Sequence, residues 1–455
     1  MGFADAHLTP LVDEGLGNSA YLVDLGDGRA LAVDAGRDLR ALHAAARRLG
    51  LTVAYAADTH LHADFLSGAV QLGHDTGATV LASAAGRRLF PHRGLADGDE
   101  VDLGGLRLRA LATPGHTDEH LSFLLLDGDR EVGVFTGGSL IVDSAARTDL
   151  LGAERTEELA RAQYRSLRRL ATLPEETEVW PTHGAGSYCS APTGVERTTT
   201  IGAQKHTNPL LAAPDEDAFV RLLVASLGSY PAYFERLGEL NRRGPAVLTG
   251  VPPLPALDAG RVRALLADGG QVVDVRPAAE FAAAHIPGAL AIPLREQFAT
   301  WLGWLLPDTV PLVFVTGDGQ DLEEIVWQAY KIGYERLAGH LAGGMPAWPA
   351  AGGATATTAF VTADRAPGGP YLDVRQEVEY ATGHVPGAVH IELGDLADHA
   401  ADAPADAVVA CGRGERAMTA ASLLERAGRT DMTVLDGRPA EYAAAHGKAL
   451  EDGDR

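Results

Sequence analysis

Cysteine is nearly absent from the 455-residue chain, which holds only Cys189 and Cys411. Two thiols cannot build the framework of a secreted disulfide-rich domain, so a reducing compartment is expected, with both sulfurs free to act as thiols. Basic charge is scarce as well: 38 Lys and Arg stand against 61 Asp and Glu, a formal net charge of -23. No Lys/Arg run is present that could neutralise phosphates, so neither nucleic acid nor an anionic membrane surface is an expected partner. Long apolar runs are missing too; no stretch reaches the roughly 18 residues of a membrane span. The N-terminal MGFADAHLTPLVDEG lacks a basic segment followed by an apolar core. These absences lead to the expectation of a cytoplasmic protein. At roughly 150 residues per domain, the length suggests about three globular units, each able to bury a core.

What is present begins with a repeat. VVDVRPAAEFAAAHIPGALAIPL at 272–294 recurs as YLDVRQEVEYATGHVPGAVHIEL at 371–393. Each copy reads as a buried strand ending in Asp-Val-Arg, a short helix, a His-x-Pro-Gly-Ala turn and a second short strand. A further apolar strand follows in each, then a Gly-containing loop and an amphipathic helix, a pattern that predicts parallel α/β sheets. The units run over 255–352 and 356–446. VPPLPALDAG (251–260) precedes the first, and AAGGATATTA (350–359) separates the two. Residues 1–250 differ in kind: short strands with tight turns are interleaved with helices such as DLRALHAAARRLG, which suits two packed sheets flanked by helices. Residues 215–243 read as helices leading to the linker.

Chemistry in the first region is concentrated in histidines. Thr59-His60-Leu61-His62-Ala63-Asp64-Phe65 follows an apolar strand and sets two imidazoles and a carboxylate at alternate positions. On an extended segment these would point one way, as convergent metal ligation requires. His116 in Thr113-Pro114-Gly115-His116-Thr117 and His183 in Pro181-Thr182-His183-Gly184 occupy later Gly/Pro-shaped loops. In the second copy of the repeat, Cys411-Gly412-Arg413-Gly414-Glu415-Arg416 opens a helix directly after a buried strand. Two glycines let successive N–H groups face the sulfur, and the helix N-terminus with Arg413 and Arg416 adds positive potential. Cys411 is therefore the expected nucleophile, able to carry a sulfane sulfur.

The His-x-His-x-Asp, Pro-Gly-His-Thr, Phe-Thr-Gly and late-His series resembles the metallo-β-lactamase fold over about residues 5–245. Within it, HLHADFLSG, TPGHTDEHLSFLL, FTGGSL, RTDLLG and THGAGSYC look like the persulfide dioxygenase branch. The Cys-x-x-Gly-x-Arg loop, the Asp-Val-Arg strand and the His-x-Pro-Gly-Ala turn resemble the rhodanese sulfurtransferase family. The implied fold is multidomain α/β: an αββα metallo-β-lactamase sandwich followed by two α/β rhodanese domains. In the dioxygenase branch a mononuclear iron is held by the first His of His-x-His-x-Asp, by the Pro-Gly-His histidine, and by an Asp of a Phe-Thr-Gly-Asp segment. Carried over, the first two are His60 and His116.

This chain departs from that pattern at two positions. Gly138 stands where the Asp belongs and Phe65 where the pattern has a further His. Three options stay open for the metal: a site of His60, His62 and His116; a site rebuilt with Asp64 or His183; or none, in a domain kept for binding. Fe(II) is the expected ion and Zn the alternative. Arg147 is a candidate anchor for a substrate carboxylate, the other reading being a surface ion pair with Asp149. Cys189 is either a substrate-proximal thiol or a small buried hydrophobe. In the first rhodanese copy Thr316 replaces the cysteine, so that copy is expected to be a catalytically dead spacer or docking module. The resemblance implies oxidation of a low-molecular-weight thiol persulfide by O2, with Cys411 moving sulfane sulfur to an acceptor such as sulfite to give thiosulfate. It also implies a homo-oligomer. Two other readings are a sulfurtransferase carrying a non-catalytic first domain, and a zinc-dependent thioester hydrolase.

Overall fold

The alternation of apolar positions in NSAYLVD and RALAV, and in LRLRALA and LSFLLLD, predicts strands with one face against a core, and these segments form two stacked sheets. The computed structural model describes residues 3–190 and 194–453, and its internal contacts divide it into two units, 1–250 with 327–333, and 251–326 with 334–455. In the first unit one six-stranded sheet runs in chain order from Leu8–Asp13 through Asn18–Asp24, Arg29–Val33, Thr52–Ala57 and Thr79–Ser83 to Arg93–Leu95. The second orders Thr199–Thr200, Glu178–Pro181, Arg130–Gly137, Leu121–Asp127, Leu106–Ala112 and Glu100–Asp102. Tyr21, Val23, Leu31 and Val33 from one sheet meet Phe123, Phe135 and Trp180 from the other in the central core. Burying such large apolar side chains stabilises each by about 1.5–3 kcal/mol over leaving it exposed.

Helices cover the outer faces. Arg40–Leu49 buries Leu42, Ala45 and Ala46 and stops at Gly50 in the left-handed region, φ 68°, where a side chain would be strained. Thr156–Leu170 buries Leu159, Ala160, Leu167 and Leu170 on the other sheet. The result is an αββα sandwich, as the motifs imply. The helical reading of 215–243 resolves into Glu216–Ala225, capped by the Asp215 carboxylate, and Phe234–Arg243.

The second unit contains two five-stranded parallel sheets. Their strand orders correspond: Ala256–Leu257, Leu337–Leu341, Leu312–Val315, Gln271–Asp274, Leu290–Ala291 in one, and Ala359–Thr362, Thr433–Asp436, Val408–Ala410, Tyr371–Asp373, Val389–His390 in the other. The sequence repeat is thus a repeat of topology. Among the described residues no helix is long and apolar enough to cross a membrane.

Candidate metal centre and nucleophile loop

The His-x-His-x-Asp residues lie in an irregular loop after Thr52–Ala57, not in the extended segment the spacing suggests. Side chains from elsewhere hold it. Asn241 donates to the carbonyls of His62 and Phe65 and accepts from Ser67 N–H, and Glu119 accepts from Leu61 N–H. Asp34 is the hub. It sits in the left-handed region, φ 51°, and accepts from Thr59 N–H at 2.7 Å, Thr59 Oγ1 at 2.8 Å, His62 Nε2 at 3.2 Å and the Thr182 hydroxyl. A strained backbone is kept here because four donors fix it.

His60, His116 and His183 come together, with ligand nitrogens within 4.8 Å of one another; His62, Asp64 and His183 form a second such group, and Asp34, Asp58 and His62 a third. All are buried. Each of the first three rings directs Nδ1 at an oxygen. His60 Nδ1 faces Thr59 Oγ1 at 2.8 Å, His116 Nδ1 faces the Arg147 carbonyl at 2.7 Å, and His183 Nδ1 faces Asn18 Oδ1 at 3.0 Å and Asp64 Oδ2 at 3.3 Å. The His60 and His183 Nε2 atoms face each other at 3.4 Å, while His116 Nε2, His62 Nδ1 and Asp64 Oδ1 are buried without a hydrogen-bond partner. Buried nitrogens and a carboxylate oxygen without partners, in two groups that share His183, fit a metal ion.

Electrostatics agree with ligation by neutral rings. Burial, then the neighbouring imidazoles, hold His60 and His120 well below the ordinary histidine range, and burial with His183 pushes His116 down to about 3. Burial also opposes charge on His62, but Asp34, Asp58 and Asp64 raise it. Asp64 is lowered: burial works against that and His183 outweighs it.

Several sequence expectations change. Arg147 is neither a surface residue nor a free anchor. It is 4% exposed, its Nε and Nη2 hold Asp149 at 2.7 and 2.8 Å, and its remaining donors go to the carbonyls of Tyr188, Gly228 and Ser229. With its donors spent inside the protein it supports the His116 loop instead of substrate. Cys189 fits the second of its two readings, a small buried side chain: it is fully buried, and burial with the nearby Asp64 charge raises its thiol well above the ordinary range. Residues the motifs did not flag include Asp34, Asn18, Gln163 and His120. Gln163 accepts from His116 N–H at 2.9 Å and donates to the Ser139 carbonyl, and His120 Nε2 accepts from Gly138 N–H at 3.1 Å. Their signals, Val-Asp-Ala-Gly after a strand and a second His after Pro-Gly-His, are individually weak.

In the second unit Cys411 follows strand Val408–Ala410, is buried, and accepts a hydrogen bond from Gly414 N–H at 3.2 Å. Gly414 has φ 87°, and a Cβ there would meet the Leu435 carbonyl and the Phe360 ring, so the loop requires glycine. Arg416 is held by Glu379 at 2.6 and 2.8 Å and braces the loop; Arg413 is exposed and pairs with no carboxylate among the described residues. In the first copy Gly317 N–H donates to the Gln320 side chain at 2.8 Å, and Gln320 donates onward to the Val275 carbonyl at 2.7 Å.

A sandwich with a histidine-lined strand edge, joined to a duplicated parallel fold with one cysteine loop, defines a metal-site domain fused to a sulfurtransferase-type tandem. The chain belongs to the metallo-β-lactamase superfamily, whose family model matches residues 13–183, and it carries rhodanese-like domains matching 258–351 and 362–445. A hydroxyacylglutathione hydrolase of Methylococcus capsulatus is 37% identical over 36% of this chain and 62% of its own length. The human mitochondrial persulfide dioxygenase ETHE1 is 29% identical over 39% of this chain and 63% of its own. The chain thus spans under two thirds of either relative. A crystal structure of a metallo-β-lactamase from Staphylococcus aureus matches 73% of this chain and 98% of its own at 28% identity, TM-score 0.66. These families make the chain an enzyme.

Proposed function

We propose that the first domain oxidises a low-molecular-weight thiol persulfide with O2 at a mononuclear iron, and that Cys411 transfers sulfane sulfur to an acceptor such as sulfite. The observation that carries the reading is the buried histidine cluster with unpartnered ligand nitrogens in a chain that also presents a cradled cysteine. The metal would be held within the set His60, His62, Asp64, His116 and His183. When bound, ferrous iron with open positions brings a sulfur ligand and O2 together and so lowers the entropic part of the barrier. The overall oxidation balances as RSSH + O2 + H2O → RSH + sulfite + 2 H+.

The protein's own groups do the positioning. Thr59, the Arg147 carbonyl and the Asn18–Asp64 pair fix the ring orientations, and burial disfavours charge on His60 and His116. At the second site the Cys411 thiolate attacks the outer sulfur of RSSH; the S–S bond breaks, RS− leaves with the electron pair, and Cys411 holds the persulfide. Sulfite then takes the outer sulfur, giving thiosulfate and regenerating the thiolate. Gly414 N–H stabilises negative charge on the cysteine sulfur, and Arg413 is placed to attract the anionic acceptor.

Two-metal thioester hydrolysis is disfavoured, because Phe65 stacks on His62 with ring centroids 4.2 Å apart and residue 138 has no carboxylate to bridge metals. The test is O2 uptake by iron-reconstituted protein given glutathione persulfide, with His116→Ala as control. Uptake that vanishes in the variant supports the oxidation. No uptake, with Cys411-dependent thiosulfate formation retained, leaves a sulfurtransferase with a non-catalytic first domain.

A further inference from the structure

We infer that residues Trp327–Gly333, which the sequence repeat places in the first rhodanese copy, are a working part of the first domain: they dock on the loop that carries His62 and Asp64, with Lys331 as the positioning residue. The docking stands on contacts alone, while its effect on turnover rests on the proposed oxidation in the first domain.

Aligning the two copies on Thr316 and Cys411 sets Trp327, Tyr330, Lys331 and Gly333 opposite Ser422, Glu425, Arg426 and Gly428. Both glycines are left-handed, φ 76° and 81°, so the helices Leu322–Tyr330 and Glu415–Arg426 stop at equivalent points. Positions i, i+3 and i+4 share one helix face. In the second copy that face grips the module before it in the chain: Ser422 accepts from Ala291 N–H, Glu425 holds His285 and Gly288 N–H, and Arg426 Nε donates to the Gly288 carbonyl at 2.7 Å. In the first copy the same face also meets the module before it, and its contacts place 327–333 with residues 1–250. The Arg40 guanidinium lies over the Trp327 ring, 5.6 Å from its centroid, and the Arg37 guanidinium over the Tyr330 ring at 5.2 Å. A docking face is kept in the copy that lacks the cysteine.

What the segment holds leads to the site from two directions. The Lys331 carbonyl accepts from Leu66 N–H at 2.8 Å, two residues after Asp64, and the Leu66 carbonyl accepts from Arg37 N–H at 2.7 Å, so the loop is tied on both sides of Leu66. The Ile332 carbonyl accepts from Arg236 Nη2 at 2.9 Å, and Arg236 lies on Phe234–Arg243, the helix whose Asn241 holds the His62 and Phe65 carbonyls. Lys331 Nζ donates to Asp13 Oδ2 at 2.8 Å. Asp13 Oδ1 in turn accepts from Gly15 and Leu16 N–H, both at 3.1 Å, which fixes the turn leading into Asn18, the partner of His183 and Asp64. A lysine only 5% exposed is rare without a paired acid, and Asp13 supplies it. One residue therefore touches the His62–Asp64 loop through its carbonyl and the Asn18 turn through its ammonium group.

The experiment is amide hydrogen exchange of the full chain, read by mass spectrometry on peptides covering 61–68 and 408–424, with O2 uptake from glutathione persulfide after iron reconstitution as the second readout. Lys331→Met should speed exchange at 61–68 by about tenfold or more and leave 408–424 unchanged. It should also lower kcat for O2 uptake by about tenfold with KM little moved. Lys331→Arg, which can still pair with Asp13, should restore both. Unchanged exchange at 61–68, equal loosening of both peptides, or a loosened loop with undiminished uptake would overturn the inference. Absence of O2 uptake in wild type would count against the proposed oxidation, and the exchange comparison would still decide whether the segment holds the loop. Arg236→Met, which removes the donors to the Ile332 and Gly333 carbonyls, puts the same question through a second contact should Lys331→Met fold poorly.

Discussion

The two rhodanese copies share a frame down to single contacts. Arg276 clasps Asp274 and reaches the Ala284 carbonyl, and Arg375 clasps Asp373 and reaches the Gly383 carbonyl, both of the latter contacts at 2.8 Å. His285 stacks on Phe281 and His384 on Tyr380, each with centroids 3.9 Å apart. What differs is the loop the frame presents. In one copy a glycine N–H points at a cysteine sulfur; in the other a glutamine side chain takes up a loop N–H, and Asp318 and Asp321 stand where Arg413 and Arg416 stand. The first copy has instead become a support. Its His285 and Gly288 hold Glu425, Ala291 N–H donates to Ser422, and Arg295 pairs with Glu415, all on the helix Glu415–Arg426 that follows the Cys411 loop. On the proposed function, duplication has separated reactivity from scaffolding while keeping the backbone.

This contrast can be broken at several points. The largest effect is expected from Cys411→Ser, which should cut thiosulfate formation from persulfide and sulfite by at least about a thousandfold; appreciable turnover in that variant would mean that the first copy is not inert. Next is Glu425→Ala, which leaves His285 and Gly288 N–H without their acceptor and should destabilise the tandem by about 1–3 kcal/mol, seen as a lower urea midpoint. Glu425→Gln, which retains an acceptor, should recover part of that loss.

A smaller effect is expected with pH. The Glu425 carboxyl is held below its ordinary range: burial opposes this, and His285 with Gly288 N–H outweighs it. A depressed folded-state value means that the contribution is complete above the unfolded value of about 4.3 and disappears as pH falls through the folded one. Wild type should therefore lose more stability than Glu425→Gln between about pH 5 and pH 3, by roughly 1 kcal/mol or less for a carboxylate that keeps some contact with solvent. The smallest effect is a null: Thr316→Cys should confer no sulfur transfer in a Cys411→Ser background, because Asp318 and Asp321 bring negative charge to the loop where Arg413 and Arg416 bring positive charge. Activity there would show that the cysteine alone distinguishes the copies.

Much of this was readable beforehand. The repeat predicted twin parallel sheets because strand, turn and helix signals recur in register, and the histidine loops predicted a metal cluster because ligand residue types recur at strand ends. Other features were hidden by distance along the chain. Asp34 and Asn18 bond residues far along the chain, and the local signal at Asp34, Val-Asp-Ala-Gly after a strand, is weak on its own. Arg147 looked exposed because arginine usually is, and only the carbonyls of Tyr188, Gly228 and Ser229 explain its burial. Glu425 is one acid on an amphipathic helix, and its partner lies 140 residues away.

Asp34 has a consequence for how the protein comes to hold its metal. Its carboxylate bonds residues 25 and 148 positions further along the chain, each just past the end of a strand, one in either sheet. The knot therefore closes only after both sheets have stacked, late in folding and at high contact order. Histidines oriented by that knot offer no ordered nest to an ion in the nascent chain, so acquisition of metal should follow the packing of the sandwich and not guide it.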